Sequence, residues 1–235
     1  MKFQAIPLIA YLCITTLLVS LGNWQLNRAE EKRGEIRLQE QAKGEGVLTL
    51  STKAFSQGES LIYKKVKAEG QFDTKHQFLL DNQINQSKAG YVVFTPFLLK
   101  GERMAVLVNR GWLPLGKSRN ELPDISFESR EIGLFGRINR FPGIGLKLAG
   151  AEIPTKAWPS VIQVVDSTVL AEKLGYPLLP FQVELDKAAP NGFVREWRDI
   201  STMPPEKHTA YAVQWFLLAM TFTVLFIKYG FKKHG

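Results

Sequence analysis

Thiols and imidazoles are nearly missing from this sequence. Its single cysteine, Cys13, lies within the first apolar stretch, and its three histidines, His76, His208 and His234, are far apart. Residues 28–207 therefore carry no disulfide, no thiolate nucleophile and no cysteine-based zinc or copper site, and no ligand-spaced histidine pair exists to hold a bare metal. A concentrated basic surface is also missing. The formal charge is +8, yet Lys2, Lys228, Lys232 and Lys233 stand at the two ends, and residues 28–207 set 26 Lys and Arg against 22 Asp and Glu. Without a basic helix or a basic–aromatic alternation, a nucleic-acid partner is excluded. The sequence has no internal repeat and no low-complexity tract.

What is present is two apolar runs. Phe3 to Asn27 is uncharged for 25 residues and Thr209 to Ile227 for 19. About 20 apolar residues cross the hydrocarbon layer as a helix. The first run continues into Gly22-Asn23-Trp24-Gln25 with no small-x-small cleavage site, so it reads as a retained span and not as a signal peptide, with Trp24 as an interface anchor. Lysines flank both short ends, which places both termini in the cytoplasm and exports the long segment between them. No Arg- and Ser-rich presequence precedes the first span, which favours a bacterium. The expected layout is a transmembrane helix at 5–25, a helical extension at 26–45, a periplasmic β-rich domain at 46–206, a second transmembrane helix at 208–228 and a cytoplasmic tail at 229–235. The extension is expected because Glu30 and Glu31 precede Lys32, Arg33 and Arg37 at helical pairing distances.

Between the spans the pattern changes to strands: Tyr63–Gly70 with Gln71-Phe72, Gln77–Asp81, Gly90–Leu99, Met104–Arg110, Glu131–Ile138 and Phe181–Leu185. A short turn containing Gly101 joins the third and fourth as a hairpin. One helix is expected over Asp166–Leu174, capped by Asp166 or Ser167 and stopped by Gly175 and Pro177. Short strands with frequent turn signals predict an antiparallel barrel- or sandwich-like domain. The fold class is thus a mixed membrane protein, two transmembrane helices flanking an antiparallel β-rich extracytoplasmic domain.

Three places invite chemistry. Asp73, His76 and Asp81 could form an acid–base set, but no nucleophile motif accompanies them, and they read as polar residues around a turn. In Asn109-Arg110-Gly111-Trp112, Gly111 reads as a strand-end residue with positive φ or close packing. The other reading is an exposed Arg110–Trp112 pair for partner contact. At the start of the second span, His208, Tyr211, Ala212, Trp215, Ala219 and Phe222 share a helical face, suited to another helix or to a flat apolar ligand. His208 reads either as a boundary residue reaching the headgroups or as an axial ligand for haem iron. Gln214 is polar inside the apolar layer, where such groups face a partner helix or a ligand. No constellation supports an enzyme.

Three blocks carry a resemblance: Leu21-Gly-x-Trp-Gln-x-x-Arg28-x-x-x-Lys32, Val108-Asn-Arg-Gly-Trp-Leu-Pro114 and Lys207-His-x-x-Tyr-Ala-x-Gln-Trp-Phe-x-Leu-Ala219. In this order and layout the chain resembles the Surfeit-locus family of cytochrome c oxidase assembly proteins, as a bacterial member. The resemblance implies an inner-membrane, two-span protein of respiratory-chain biogenesis that binds haem a and assists its insertion into the catalytic subunit. The implied partners are the cytochrome c oxidase subunits, above all the haem-bearing one, with membrane lipid and a haem a synthesis enzyme. The implied iron ligand aligns with His208; Tyr211, Gln214 and Trp215 are the other cofactor-binding candidates, and Arg28 is a candidate propionate partner. The alternative is a membrane-anchored scaffold or chaperone for oxidase subunits that does not touch haem.

Overall fold

The computed structural model describes residues 5–51, 58–116, 121–128, 131–143, 150–197 and 203–230; Lys2, Lys232, Lys233 and His234 lie outside them. The chain divides into two units, residues 1–37 with 198–235, and residues 38–197.

The first unit is a helix pair. Helix α1 runs Ala5–Gly44, its last residues from Leu38 on counting with the second unit, and the last helix, α3, runs Pro205–Gly230. Both are long and apolar enough to cross a membrane. Where α1 turns hydrophilic, Arg28 pairs with Glu31, Lys32 with Glu35, and Glu30 with Arg33 and Arg37. Screened by solvent, such surface pairs support the helix only weakly.

The second unit is built on one eight-stranded sheet: β1 (Leu48–Thr49), β2 (Lys65–Phe72), β3 (Phe78–Asn85), β4 (Lys88–Leu99), β5 (Ala105–Pro114), β6 (Glu131–Asn139), β7 (Ser160–Ile162) and β8 (Leu178–Leu185). The order is β1-β2-β6-β8-β5-β4-β3-β7, and β2 also pairs with β4. The pairings β2–β6–β8–β5–β4–β2 therefore close on themselves as a five-stranded ring. The expectation of an antiparallel sheet is corrected here: β5 pairs β8 in parallel, as do β1 with β2 and β3 with β7. A parallel pair needs a long crossover between its strands. The segment from β5 to β8 supplies one, and it contains α2 (Ser167–Leu174).

Side-chain alternation explains the ring. Along β2 every second residue is buried, the period expected of a strand with one face on a core. A single buried cluster takes residues from all five ring strands, including Val66, Phe97, Val108, Leu134 and Val183. Strand β5 is buried on both faces: Val106 and Val108 join that cluster, while Leu107 joins Phe78, Phe94, Ile162 and Leu170 of α2. This accounts for the unbroken apolar run Met104–Val108. Helix α2 begins as expected, with Asp166 accepting from the amides of Thr168 and Val169 at 3.0 and 3.3 Å. Gly175 ends it, its N–H bonding to Ala171 O at 2.9 Å.

Candidate functional site

The helix pair is joined by small residues facing aromatic ones. A Cβ on Gly22 would lie 2.6 Å from the Phe216 ring, so only glycine lets that ring close on α1. Toward the other ends, Tyr11 stacks on Phe226 and Phe222 at centroid distances of 4.2 and 5.7 Å and donates to Thr223 Oγ1 at 3.0 Å. The expected stripe on α3 is thus taken up in large part by helix packing: Ala212 and Ala219 are buried and Phe222 contacts Tyr11.

At the polar end the pair is tied twice. Arg33 Nη2 donates to Thr209 Oγ1 at 3.1 Å, and that hydroxyl donates to Pro205 O at 3.1 Å. One residue earlier, His208 Nδ1 lies 2.7 Å from Gln25 Oε1. A carboxamide oxygen only accepts, so Nδ1 is the donor, and in the neutral ring that tautomer puts the lone pair on Nε2. His208 is half-buried, and Nε2 has no hydrogen-bond partner among the described residues. A neutral imidazole held by its Nδ1–H with Nε2 open is the donor set that haem iron takes from a protein.

The other candidates divide around this imidazole. With about 100° of turn per residue, Tyr211 and Trp215 lie within ~60° of His208 around α3, whereas Gln214 is ~120° away and ~9 Å further along. Trp215 is half-buried, Tyr211 is 45% exposed, and Gln214 is exposed. Tyr211 and Trp215 therefore stand with His208 and Gln214 does not. Arg28 is bonded to Glu31 at 2.8 Å and lies over the Trp24 ring at 5.8 Å. Gln25 was readable only as part of the block around Trp24; no spacing argument on α3 points to it.

In the β-unit the candidate polar side chains find their partners within the unit. Arg110 is buried: Nη1 donates to Gln77 Oε1 at 2.7 Å and Ile125 O at 3.2 Å, and Nε to Asn191 O at 2.8 Å. Its guanidinium carbon lies 4.1 Å from the Phe127 ring centre and 4.9 Å from that of Phe193. With no carboxylate paired to it among the described residues, burial lowers its pKa to about 10. Trp112 Nε1 donates to Gln83 O at 2.9 Å. The exposed Arg110–Trp112 pair is thereby corrected: the strand turns its arginine inward, where three backbone or amide oxygens receive it. Gly111 has φ +108°, and a Cβ there would meet Val194 O at 2.6 Å.

Asp73 is more enclosed than a turn residue of a solvated surface. It accepts from Tyr176 Oη and pairs with His76 Nδ1, both at 2.7 Å, while the His76 ring packs edge-on against Trp158 at 4.8 Å. Burial alone would raise its pKa, but the bonds from His76 and Tyr176 outweigh that and hold it below the usual carboxylate value. Asp81 does not join them; it bonds the amide of Asn82. Beside this cluster a cleft of about 260 Å³ opens between Lys75, Gln77, Asp124, Ile125 and Trp158. No group of three or more metal-ligating side chains occurs among the described residues.

The SURF1 family model matches residues 12–220. A "SURF1-like protein" of Rickettsia conorii is 26% identical, covering 91% of this chain and 87% of its own length. Another of Rickettsia felis is 26% identical over 97% of both. "Surfeit locus protein 1" of Xenopus tropicalis is 24% identical, covering 94% of this chain and 75% of its own. With the match running through both helices and the β-unit between them, the chain belongs to the SURF1 family of cytochrome oxidase assembly factors.

Proposed function

We propose that this chain serves cytochrome c oxidase assembly in a bacterial inner membrane by holding haem a on His208 for insertion into the catalytic subunit. The observation that carries the reading is the 2.7 Å bond between His208 Nδ1 and Gln25, which leaves Nε2 open. Tyr211 and Trp215 flank the same side of α3 and supply apolar, stacking-competent surface for the macrocycle. His208 would be the one protein imidazole holding the haem iron, so a ligand of the acceptor subunit could take the iron over from it. Gln214, on another side of α3, enters as a polar group for a partner helix in the apolar layer. Arg28 would have to exchange Glu31 for a propionate to take part.

The topology belongs to the same proposal: both termini cytoplasmic and the β-unit periplasmic. An alkaline phosphatase fusion at Gly150 should be active and one at Gly235 inactive. The haem reading is tested by the absorption spectrum of the full chain, co-expressed with haem a synthesis enzymes. A Soret band should be present in the wild type, lost in His208→Ala and retained in His76→Ala. A wild type without haem, in cells whose oxidase still depends on it, would establish the scaffold alternative instead.

A further inference from the structure

We infer that Gln25 is the positioning residue of the His208 site: its carboxamide oxygen fixes the imidazole tautomer and aims Nε2 at the iron. This rests on the haem-holding reading. Gln25 sits on α1, 183 residues from its partner, and bonds it at 2.7 Å. The contact is not left to two loose side chains. Gly22, about one turn before Gln25, admits the Phe216 ring, and two turns after it Arg33 bonds Thr209, the neighbour of His208. The helices are thus locked above and below the imidazole, so its orientation is set before any ligand arrives.

The choice of an amide also has a chemical consequence. The chain contains a second imidazole with its Nδ1 engaged, His76, but there the acceptor is the carboxylate of Asp73. A carboxylate draws the Nδ1 proton more strongly and makes the ring a stronger donor to a metal. A neutral amide orients the ring without that gain, which suits a site that must also release its cargo.

The test is titration of the purified full chain with haemin, followed by reductive titration, for wild type, Gln25→Leu and Gln25→Glu. Gln25→Leu removes the acceptor at similar size and should lower haem affinity about 10- to 100-fold. Gln25→Glu keeps an acceptor, adds charge, and should retain affinity while lowering the reduction potential of the bound iron. A purely structural glutamine would not move that potential, and the glutamate variant remains informative if the leucine variant fails to insert. If the wild type binds haemin and both variants match it in affinity and potential, the inference falls and the haem reading stands. If the wild type takes up no haem, the reading falls and takes the inference with it.

Discussion

The two units treat a nitrogen-bearing side chain in opposite ways. In the β-unit, Arg110 is enclosed between two phenylalanine rings and donates to Gln77, Ile125 and Asn191. In the helix pair, His208 has one bond and one open nitrogen. Buried polar groups are nearly always paired, so a fully bonded one is a structural fastener and a half-bonded one invites a ligand. The family blocks hold both residues. Their hydrogen bonds separate them.

That contrast can be broken by mutation. Arg110→Met would remove three hydrogen bonds at once, Gln77 Oε1 keeping Thr95, Ile125 O keeping Gln77 Nε2 and Asn191 O losing its side-chain donor; at about 1–1.5 kcal/mol per bond, the β-unit should lose about 3–5 kcal/mol. Urea unfolding followed by tryptophan fluorescence would show it, and Arg110→Lys should restore little, because one ammonium cannot serve the same fork. Next comes Gly111→Ala, in which a φ of +108° and the contact with Val194 O should cost about 2–3 kcal/mol by the same assay. In the helix pair, Gly22→Ala should cost about 1–3 kcal/mol by displacing Phe216. Spin labels on the exposed Leu12 and Val224 should report a longer or broader distance, and an unchanged one would show that the ring yields freely.

The smallest effect belongs to Asp73. Its folded pKa lies below the unfolded value of about 3.9, so its contribution is complete above that pH and is lost as pH falls through the folded value. Unfolding midpoints measured from pH 6 downward should begin to drop near pH 4, less steeply in Tyr176→Phe, which should also lose about 1 kcal/mol at neutral pH. Identical acid profiles for wild type and variant would remove Tyr176 from the network.

Local signals were readable in advance because their causes are local. Asp166 and Gly175 bound α2 by bonds spanning a few residues, and the β4–β5 hairpin follows from two apolar runs around Gly101. The β3–β4 turn was less legible: Gln86 and Ser87 both adopt positive φ, 47° and 63°, where Asn-Gly is the usual signature. Strands β1 and β7 have two and three residues, too few for any alternation. Parallel pairing escaped because register between distant strands is set by the closed core and not by either strand's own pattern. The same holds for the sites. The acceptors of Arg110 come from positions 77, 125 and 191, and the partner of His208 from position 25.

The closed ring has a consequence for how the chain comes into being. Strand β8 is the bridge between β5 and β6, and it is the last of the described strands to be made. A chain growing from its N-terminus therefore carries β5 and β6 with open edges until Leu178–Leu185 has emerged, and that strand begins 64 residues after Pro114 ends β5 (178 − 114). Open edges pair with whatever strand is near. Completion of this domain is a late event in its synthesis, and truncations before Leu185 should be aggregation-prone instead of partly folded.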